Sequence, residues 1–265
     1  MAGGDPAPDQ PEAGRGIRRP GARGHGRVVR AGAPQVKALA GPARPRRMTP
    51  GVVVGLRAEA RLLRVLPWPV AIGGGDAAGA ARAARELAES GVSALVSFGL
   101  AGGLDPALAP GSLLVPAEVQ RDGRAMAADP VLARALGGPT PGTLLCGTAI
   151  AATAAEKARL HRQTGCVALD LESGAVATEA RALGLPFAVL RAVCDPAGQD
   201  LPHAALVALD ARGAIGLGRV LAALAAHPGQ LPALLALAGQ AAVARRALSA
   251  RVRALARAGP AAHPP

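Results

Sequence analysis

The chain has 265 residues, half of them hydrophobic, with 30 Lys and Arg against 18 Asp and Glu and a formal net charge of +12. That length suits one substantial core or two small ones. Two Phe, one Trp and no Tyr argue against modules that stack bases on aromatic rings, and leave aliphatics, glycines and backbone to line any pocket.

The positive charge belongs to the ends. Residues 1–47 carry +7 and residues 227–265 carry +5 with no acid, whereas residues 48–226 hold 15 basic and 15 acidic side chains and are neutral. The neutral middle offers no basic helix within a recognised motif, so specific nucleic-acid binding is not expected. The first 47 residues are rich in Pro, Gly, Ala and Arg without sustained apolar periodicity, and read as a disordered basic extension. They lack the apolar stretch of a signal peptide, which points to the cytoplasm. Met48 stands directly before a strand-like run and is a candidate start of translation. The intact mass of the natively expressed protein tests this, and a species carrying residues 1–47 contradicts it.

From residue 48 a single domain is expected to run to about 226. Buried strands are expected at 52–55, 94–98, 113–115, 144–146, 167–169 and 187–193. Asp76 caps a helix running to Gly91, Thr153 and Glu156 form a capping box for a helix ending near Gly165, and a third helix spans about 173–182, with Gly184 beyond it. Strands alternating with helices imply an α/β domain with a largely parallel sheet covered on both faces. Ligands in such folds bind beyond the carboxyl ends of the strands.

Three such ends hold candidate chemistry. Ser97-Phe98-Gly99-Leu100-Ala101-Gly102-Gly103 is a strand running into small residues, either a tight turn or backbone amides that approach a ligand. Gly73-Gly74-Gly75-Asp76 is a weaker signal of the same kind, lacking the spacing of a dinucleotide or P-loop motif. Asp170-Leu171-Glu172 places two carboxylates at i and i+2, on one face if the strand persists. They are either a site or a helix start supplied with acids. Cys194-Asp195-Pro196 follows the last strand, where Asp195 is a turn initiator or a functional acid.

Residues 97–106, Pro110-Gly111-Ser112-Leu113-Leu114-Val115, residues 170–177 and residues 186–195 follow in an order that resembles the nucleoside phosphorylase and methylthioadenosine/adenosylhomocysteine nucleosidase superfamily. Within it the chain is most similar to the hopanoid-associated phosphorylases, thought to act on adenosylhopane. The resemblance spans about 51–225. It implies a twisted, partly barrel-like mixed sheet flanked by helices, a homodimer or larger homo-oligomer, and cleavage of a purine N-glycosidic bond without a cofactor, with inorganic phosphate a candidate co-substrate. By resemblance Asp195 is the acid that protonates the departing base, and Glu172 binds the ribose hydroxyls and favours positive charge on the sugar. Glu59, following the first strand, matches the glutamate that activates water; the other reading is a first-turn helix acid. Gly99, Ala101, Gly102, Ile150, Ala151, Asp170 and Leu171 are the substrate-binding candidates.

The chain departs from the pattern in four places. Leu100 replaces a hydroxyl residue, Asp170 replaces a glutamate, Thr148 stands where an acid is common, and Ile150 and Ala151 replace an aromatic and an aliphatic around the base. Smaller side chains widen a pocket and suit a bulky hydrophobic 5′ substituent. Arg57, Arg191 and the glycine turns are candidates to hold a phosphate dianion, although Arg191, inside an apolar strand, is equally a partner for a buried carboxylate.

Cys146, Cys166 and Cys194 read as buried small hydrophobes of a reducing compartment, and no histidine sits in a ligand-spaced cluster, so no metal is expected. Residues 227–265 read as a basic helical extension. Leu248, Val252 and Leu255 recur on one face among five arginines, fitting either a helix packed on the core or peripheral contact with an anionic inner-membrane surface, where a lipid-linked nucleoside would be met. The alternatives to adenosylhopane cleavage are a methylthioadenosine/adenosylhomocysteine-type nucleosidase and a non-catalytic nucleoside-binding relative. A dinucleotide-dependent oxidoreductase would need a phosphate-binding fingerprint that Gly55-Leu56-Arg57-Ala58 does not supply.

Overall fold

A computed structural model describes residues 48–206 and 226–258. The expected extension over 1–47, and the parts of the other two expected segments that fall at 207–225 and 259–265, lie outside the described residues. The elements run β1 (Pro50–Val54), α1 (Arg57–Ala60), a 3-10 turn (Arg61–Val65), β2 (Val70–Ile72), α2 (Ala77–Glu89), β3 (Ala94–Gly103), β4 (Leu113–Leu114), β5 (Glu118–Arg121), β6 (Arg124–Ala127), α3 (Pro130–Leu136), β7 (Leu144–Cys146), α4 (Ala154–Thr164), β8 (Ala168–Asp170), α5 (Ser173–Ala182), β9 (Phe187–Asp195), α6 (His203–Leu206) and α7 (Leu231–Ala258).

Side chains alternate across a strand, so a strand apolar at every position is buried on both sides. In β1, β3 and β9, Val53, Leu95 and Val189 enter one core with Ala80 and Ala84 of α2 and Val176 and Ala180 of α5. Their neighbours Val52, Val54, Val96, Phe98 and Leu190 enter a second core with Leu63, Leu132, Leu248 and Val252. The helix ends are where the capping residues place them. Asp76 accepts from the Gly79 amide at 2.7 Å, and Thr153 and Glu156 close a reciprocal capping box.

The nine strands of the described residues form one mixed sheet with β3 at its centre. β3 pairs in parallel with β1 through residues 94–98 and with β9 along its length, and its last two residues pair antiparallel with β8. The turn expected after Phe98 is instead strand, with a register shift between Ala101 and Gly102. Five of the eight strand pairings among the described residues are parallel, as expected, and the sheet is mixed because β8 on β3, β4 on β9 and β6 on β5 pair antiparallel, β6 through a two-residue turn at Asp122 and Gly123, both with positive φ.

α7 packs on the second core. Ala244, Leu248 and Val252 are fully buried, so the apolar face expected there meets the sheet side of the domain. Among the described residues no helix is long and apolar enough to cross a membrane.

Candidate active site

A cavity of about 480 Å³ opens where β1, β8 and β9 end beside the second half of β3. Glu59 reaches it from α1, just after β1; Asp170 and Glu172 from the end of β8 and the start of α5; Asp195 from the last position of β9. All four carboxylates are at least 94% buried, an arrangement that needs cations and hydrogen bonds to hold it.

Arg191 supplies the first cation. It lies in β9 opposite Gly99 of β3 and is 2% exposed. Its Nη2 stands 2.6 Å from Asp170 Oδ2 and 3.2 Å from Glu172 Oε2, and donates to Ser97 Oγ at 2.8 Å. Burial alone would lower the guanidinium's pKa; Asp170, Glu172 and Glu59 together outweigh it and raise it. Arg191 is thus the partner of buried carboxylates, the second of the two roles its position in the strand allows.

Asp170 faces Arg191 and also accepts from the Ser173 amide and hydroxyl at the start of α5. It therefore does both things its place suggests, capping a helix and closing an ion pair. The strand ends at Asp170, and Glu172 instead turns toward Arg191 from the N-cap position of α5. Glu172 Oε2 accepts from Arg191, whereas Oε1 is buried without a hydrogen-bond partner among the described residues. Burial first, then the neighbouring Glu59 and Asp170 charges, push the Glu172 carboxyl up to about 7 against the pull of Arg191.

Glu59 is 2% exposed. Its Oε2 accepts from the Leu56 amide at 2.8 Å and its Oε1 from the Leu100 amide at 2.9 Å. Burial raises its pKa, with Arg191 and these amides opposing. Glu59 is a first-turn acid of α1 that also lines the cavity.

Glycines make this density of carboxylates fit. A Cβ on Gly55 would lie 2.8 Å from Glu172 Oε1, and one on Gly99, whose φ is +152°, would lie 2.5 Å from both Glu59 Oε1 and Arg191 Nη1. Gly99 therefore sits behind the site as the seat of Glu59 and Arg191, not among the residues that line the cavity. Ala101, Gly102, Ile150, Ala151 and Leu171 do line it.

Asp195 has a different partner. Lys157 of α4, 1% exposed, places its Nζ 2.7 Å from Asp195 Oδ2. It also donates to the Pro196 and Gln199 carbonyls. Sequence reasoning misses Lys157, Ser97 and Ser173. For Lys157 a signal exists: it shares an i, i+3, i+7 face with Leu160 and Thr164, where a helix meets its core.

The rest of the wall is aliphatic. Leu201 and Leu206 from the segment after β9, and Leu234, Leu237, Ala238 and Ala241 from α7, form one side, with Arg245 beyond them. The Leu201 amide donates to the Ala152 carbonyl, and Asp200 accepts from the Ala154 amide, which ties this segment to the start of α4. Arg57 is exposed and does not line the cavity. Burial pushes the Cys146 and Cys194 thiols up, so neither is a thiolate nucleophile at neutral pH. Among the described residues no group of three or more His, Cys, Asp or Glu could hold a metal ion.

Comparison with solved structures places this geometry in a known fold. The 5′-methylthioadenosine/S-adenosylhomocysteine nucleosidase of Helicobacter pylori with butyl-thio-DADMe-Immucillin-A is similar with a TM-score of 0.56 and 16% identity, covering 79% of this chain and 99% of that one. The corresponding nucleosidase of Colwellia psychrerythraea in complex with adenine is similar with a TM-score of 0.53 and 20% identity, over 74% and 96% of the two chains. A futalosine hydrolase mutant of Helicobacter pylori gives 0.52 and 17%, over 58% and 90%. At these identities the likeness is one of fold. No curated protein matches the chain. The model of the phosphorylase superfamily matches residues 66–226, a stretch that contains Asp170, Glu172 and Asp195 and begins after Glu59. With more than half its length matched, the chain belongs to the phosphorylase superfamily.

Proposed function

We propose that this protein hydrolyses the N-glycosidic bond of an adenosine whose 5′ substituent is apolar, releasing adenine, with adenosylhopane the substrate that the resemblance to hopanoid-associated phosphorylases suggests. The observation that carries this reading is one cavity with buried carboxylates at its strand-end side and an aliphatic wall from α7 and Leu201 on the other. The named substrates of the neighbouring nucleosidases, 5′-methylthioadenosine and S-adenosylhomocysteine, agree with an adenosine core.

Cleavage places positive charge on the ribose and negative charge on the departing base. Glu172 Oε1, buried and unpartnered, accepts from the ribose hydroxyls, and its carboxylate stabilises the oxocarbenium-like sugar. Asp195 delivers a proton to N7 of the purine. Glu59, with its pKa raised, takes the proton of the attacking water. Ala101, Gly102, Leu171, Ile150 and Ala151 enclose the nucleoside, and Leu206, Leu234 and Leu237 face the 5′ substituent. Asp170 holds Arg191 and the start of α5.

Water is favoured over phosphate on charge. A dianion needs cations that are not already committed, and the two that are buried among the described residues are committed: Arg191 to Asp170 and Glu172, Lys157 to Asp195. Among the described residues, Arg245 is the further cation that lines the cavity. A homodimer or larger homo-oligomer belongs to this proposal through the same resemblance, and so does contact of the basic α7 surface with an inner membrane carrying the substrate.

The test is adenine release by the purified protein from 5′-methylthio-, 5′-butylthio- and 5′-octylthioadenosine, with and without phosphate. The expected result is release that grows with chain length, is indifferent to phosphate and yields an unphosphorylated sugar. A sugar 1-phosphate product would establish phosphorolysis, and no adenine from any of the three would overturn the proposal.

A further inference from the structure

Lys157 is the only residue of α4 whose side chain is buried. Its three ammonium hydrogens meet three acceptors: Asp195 Oδ2 at 2.7 Å, the Pro196 carbonyl at 3.0 Å and the Gln199 carbonyl at 2.9 Å. A buried lysine with every donor used and a carboxylate as its one charged partner is built for that carboxylate, because an uncompensated ammonium there would be costly. The pairing also carries a chemical consequence. In a salt bridge the transferable proton sits on nitrogen, whereas a departing purine needs a proton from the group beside N7.

We infer that Lys157 stores the proton that Asp195 hands to the leaving base. This rests on the reading of Asp195 as the proton donor. As the C1′–N9 bond breaks and its electron pair moves onto the purine, N7 takes a proton from the Asp195 carboxyl, which takes one from the Lys157 ammonium. Asp195 ends as a carboxylate and Lys157 as a neutral amine whose two hydrogens still serve the Pro196 and Gln199 carbonyls. The water proton goes to Glu59, and solvent entering as adenine leaves restores the proton of Lys157 and removes that of Glu59. Lys157 acts through Asp195, as a positioning residue that also holds the proton. The same contacts fix the loop after β9 against α4, so the store and the donor move together.

The test compares leaving groups. 5′-Butylthioadenosine needs a proton on its base, whereas the p-nitrophenyl riboside with the same 5′ group departs as a stable anion. Lys157→Arg keeps the cation and its hydrogen bonds but not a proton that can be given up; Lys157→Met removes both. Each is expected to lower kcat on the adenosine by on the order of 100-fold or more, while activity on the p-nitrophenyl riboside stays within about threefold of wild type. Asp195→Asn combined with Lys157→Met is expected to cost no more than Asp195→Asn alone, as for groups acting as one unit. Melting curves show which variant is folded, and the folded one carries the comparison. Equal loss on both substrates would mean that Lys157 is merely structural, and adenine release by Lys157→Arg at the wild-type rate would also overturn the inference; either leaves Asp195 as the donor intact. Wild-type protein that releases no adenine would instead overturn the underlying reading of the site.

Discussion

Replacing Glu172 with Gln separates the cost of this carboxylate from its use. The Glu172 carboxyl titrates near 7 in the folded chain against 4.5 for an ordinary glutamate. A raised carboxyl pKa means that, between about 4.5 and 7, the folded protein binds more protons than the unfolded chain, so stability falls as pH rises through that window. The difference corresponds to about 3 kcal/mol, lost by pH 8 relative to pH 4.5. A glutamine amide does not titrate, so the Glu172→Gln variant should lack this slope. Its stability relative to wild type should improve by about 3 kcal/mol between pH 4.5 and pH 8. Urea unfolding followed by the fluorescence of Trp68, the chain's one tryptophan, at pH 4.5, 6, 7 and 8 measures it. The same substitution removes the negative charge placed against the ribose, so kcat/KM should fall at every pH, and the rise of wild-type kcat/KM with pH around 7 should flatten. A stability difference between variant and wild type that is constant across these pH values would refute the reasoning.

Three further outcomes test the packing around the site. Gly99→Ala forces a Cβ into Glu59 and Arg191, and should destabilise the fold by about 1–3 kcal/mol in chemical denaturation, with activity lowered even where the protein stays folded. Leu248→Ala empties a fully buried position on α7 and should cost about 2–5 kcal/mol, read as a lower urea midpoint at unchanged slope. Leu237→Asp puts a charge in the aliphatic wall; KM for 5′-octylthioadenosine should rise by about tenfold or more, from the roughly 1.5–3 kcal/mol that burying such a side chain is worth, while KM for 5′-methylthioadenosine stays nearly unchanged.

The sequence exposes the parts of this protein that local chemistry controls. Asp76, Thr153 with Glu156, and the 173–182 helix are legible because capping and helical periodicity act over three or four residues. The main strands are legible because β1, β3 and β9 are apolar on both faces. β2 escapes because only three residues between Pro69 and Gly73 form it, and its pairing with β1 is decided in three dimensions. The β5–β6 hairpin is marked by Asp122-Gly123, a strong turn signal, but its flanks are too polar to read as strands. Glycines at 99, 102 and 103 suggest a turn, yet β9 pairs with β3 from Leu95 to Gly102 and β8 pairs with Gly102 and Gly103, which holds the segment extended.

The site divides the same way. Strand-end acids stand out in the sequence because a carboxylate after an apolar run needs a reason, and Glu59, Asp170, Glu172 and Asp195 all reach one cavity. What binds them together does not stand out. Ser97 and Ser173 are unremarkable until the fold brings their hydroxyls together beside Arg191, Lys157 is marked only by sharing a helix face with Leu160, and the α7 wall depends on a helix that begins 36 residues after β9 ends. Composition anticipates the character of the cavity better than its walls: with three aromatic residues in the chain, aliphatics were all that was left to build it.

The most direct measurement is the rate of adenine formation from 5′-butylthioadenosine by wild-type protein and by Asp195→Asn at pH 7, with melting curves showing that both are folded. The account predicts steady release by the wild type and a loss of about 100- to 10,000-fold in the variant, the range expected when a general acid is removed. Adenine release by Asp195→Asn at the wild-type rate, or none by the wild type, would contradict it.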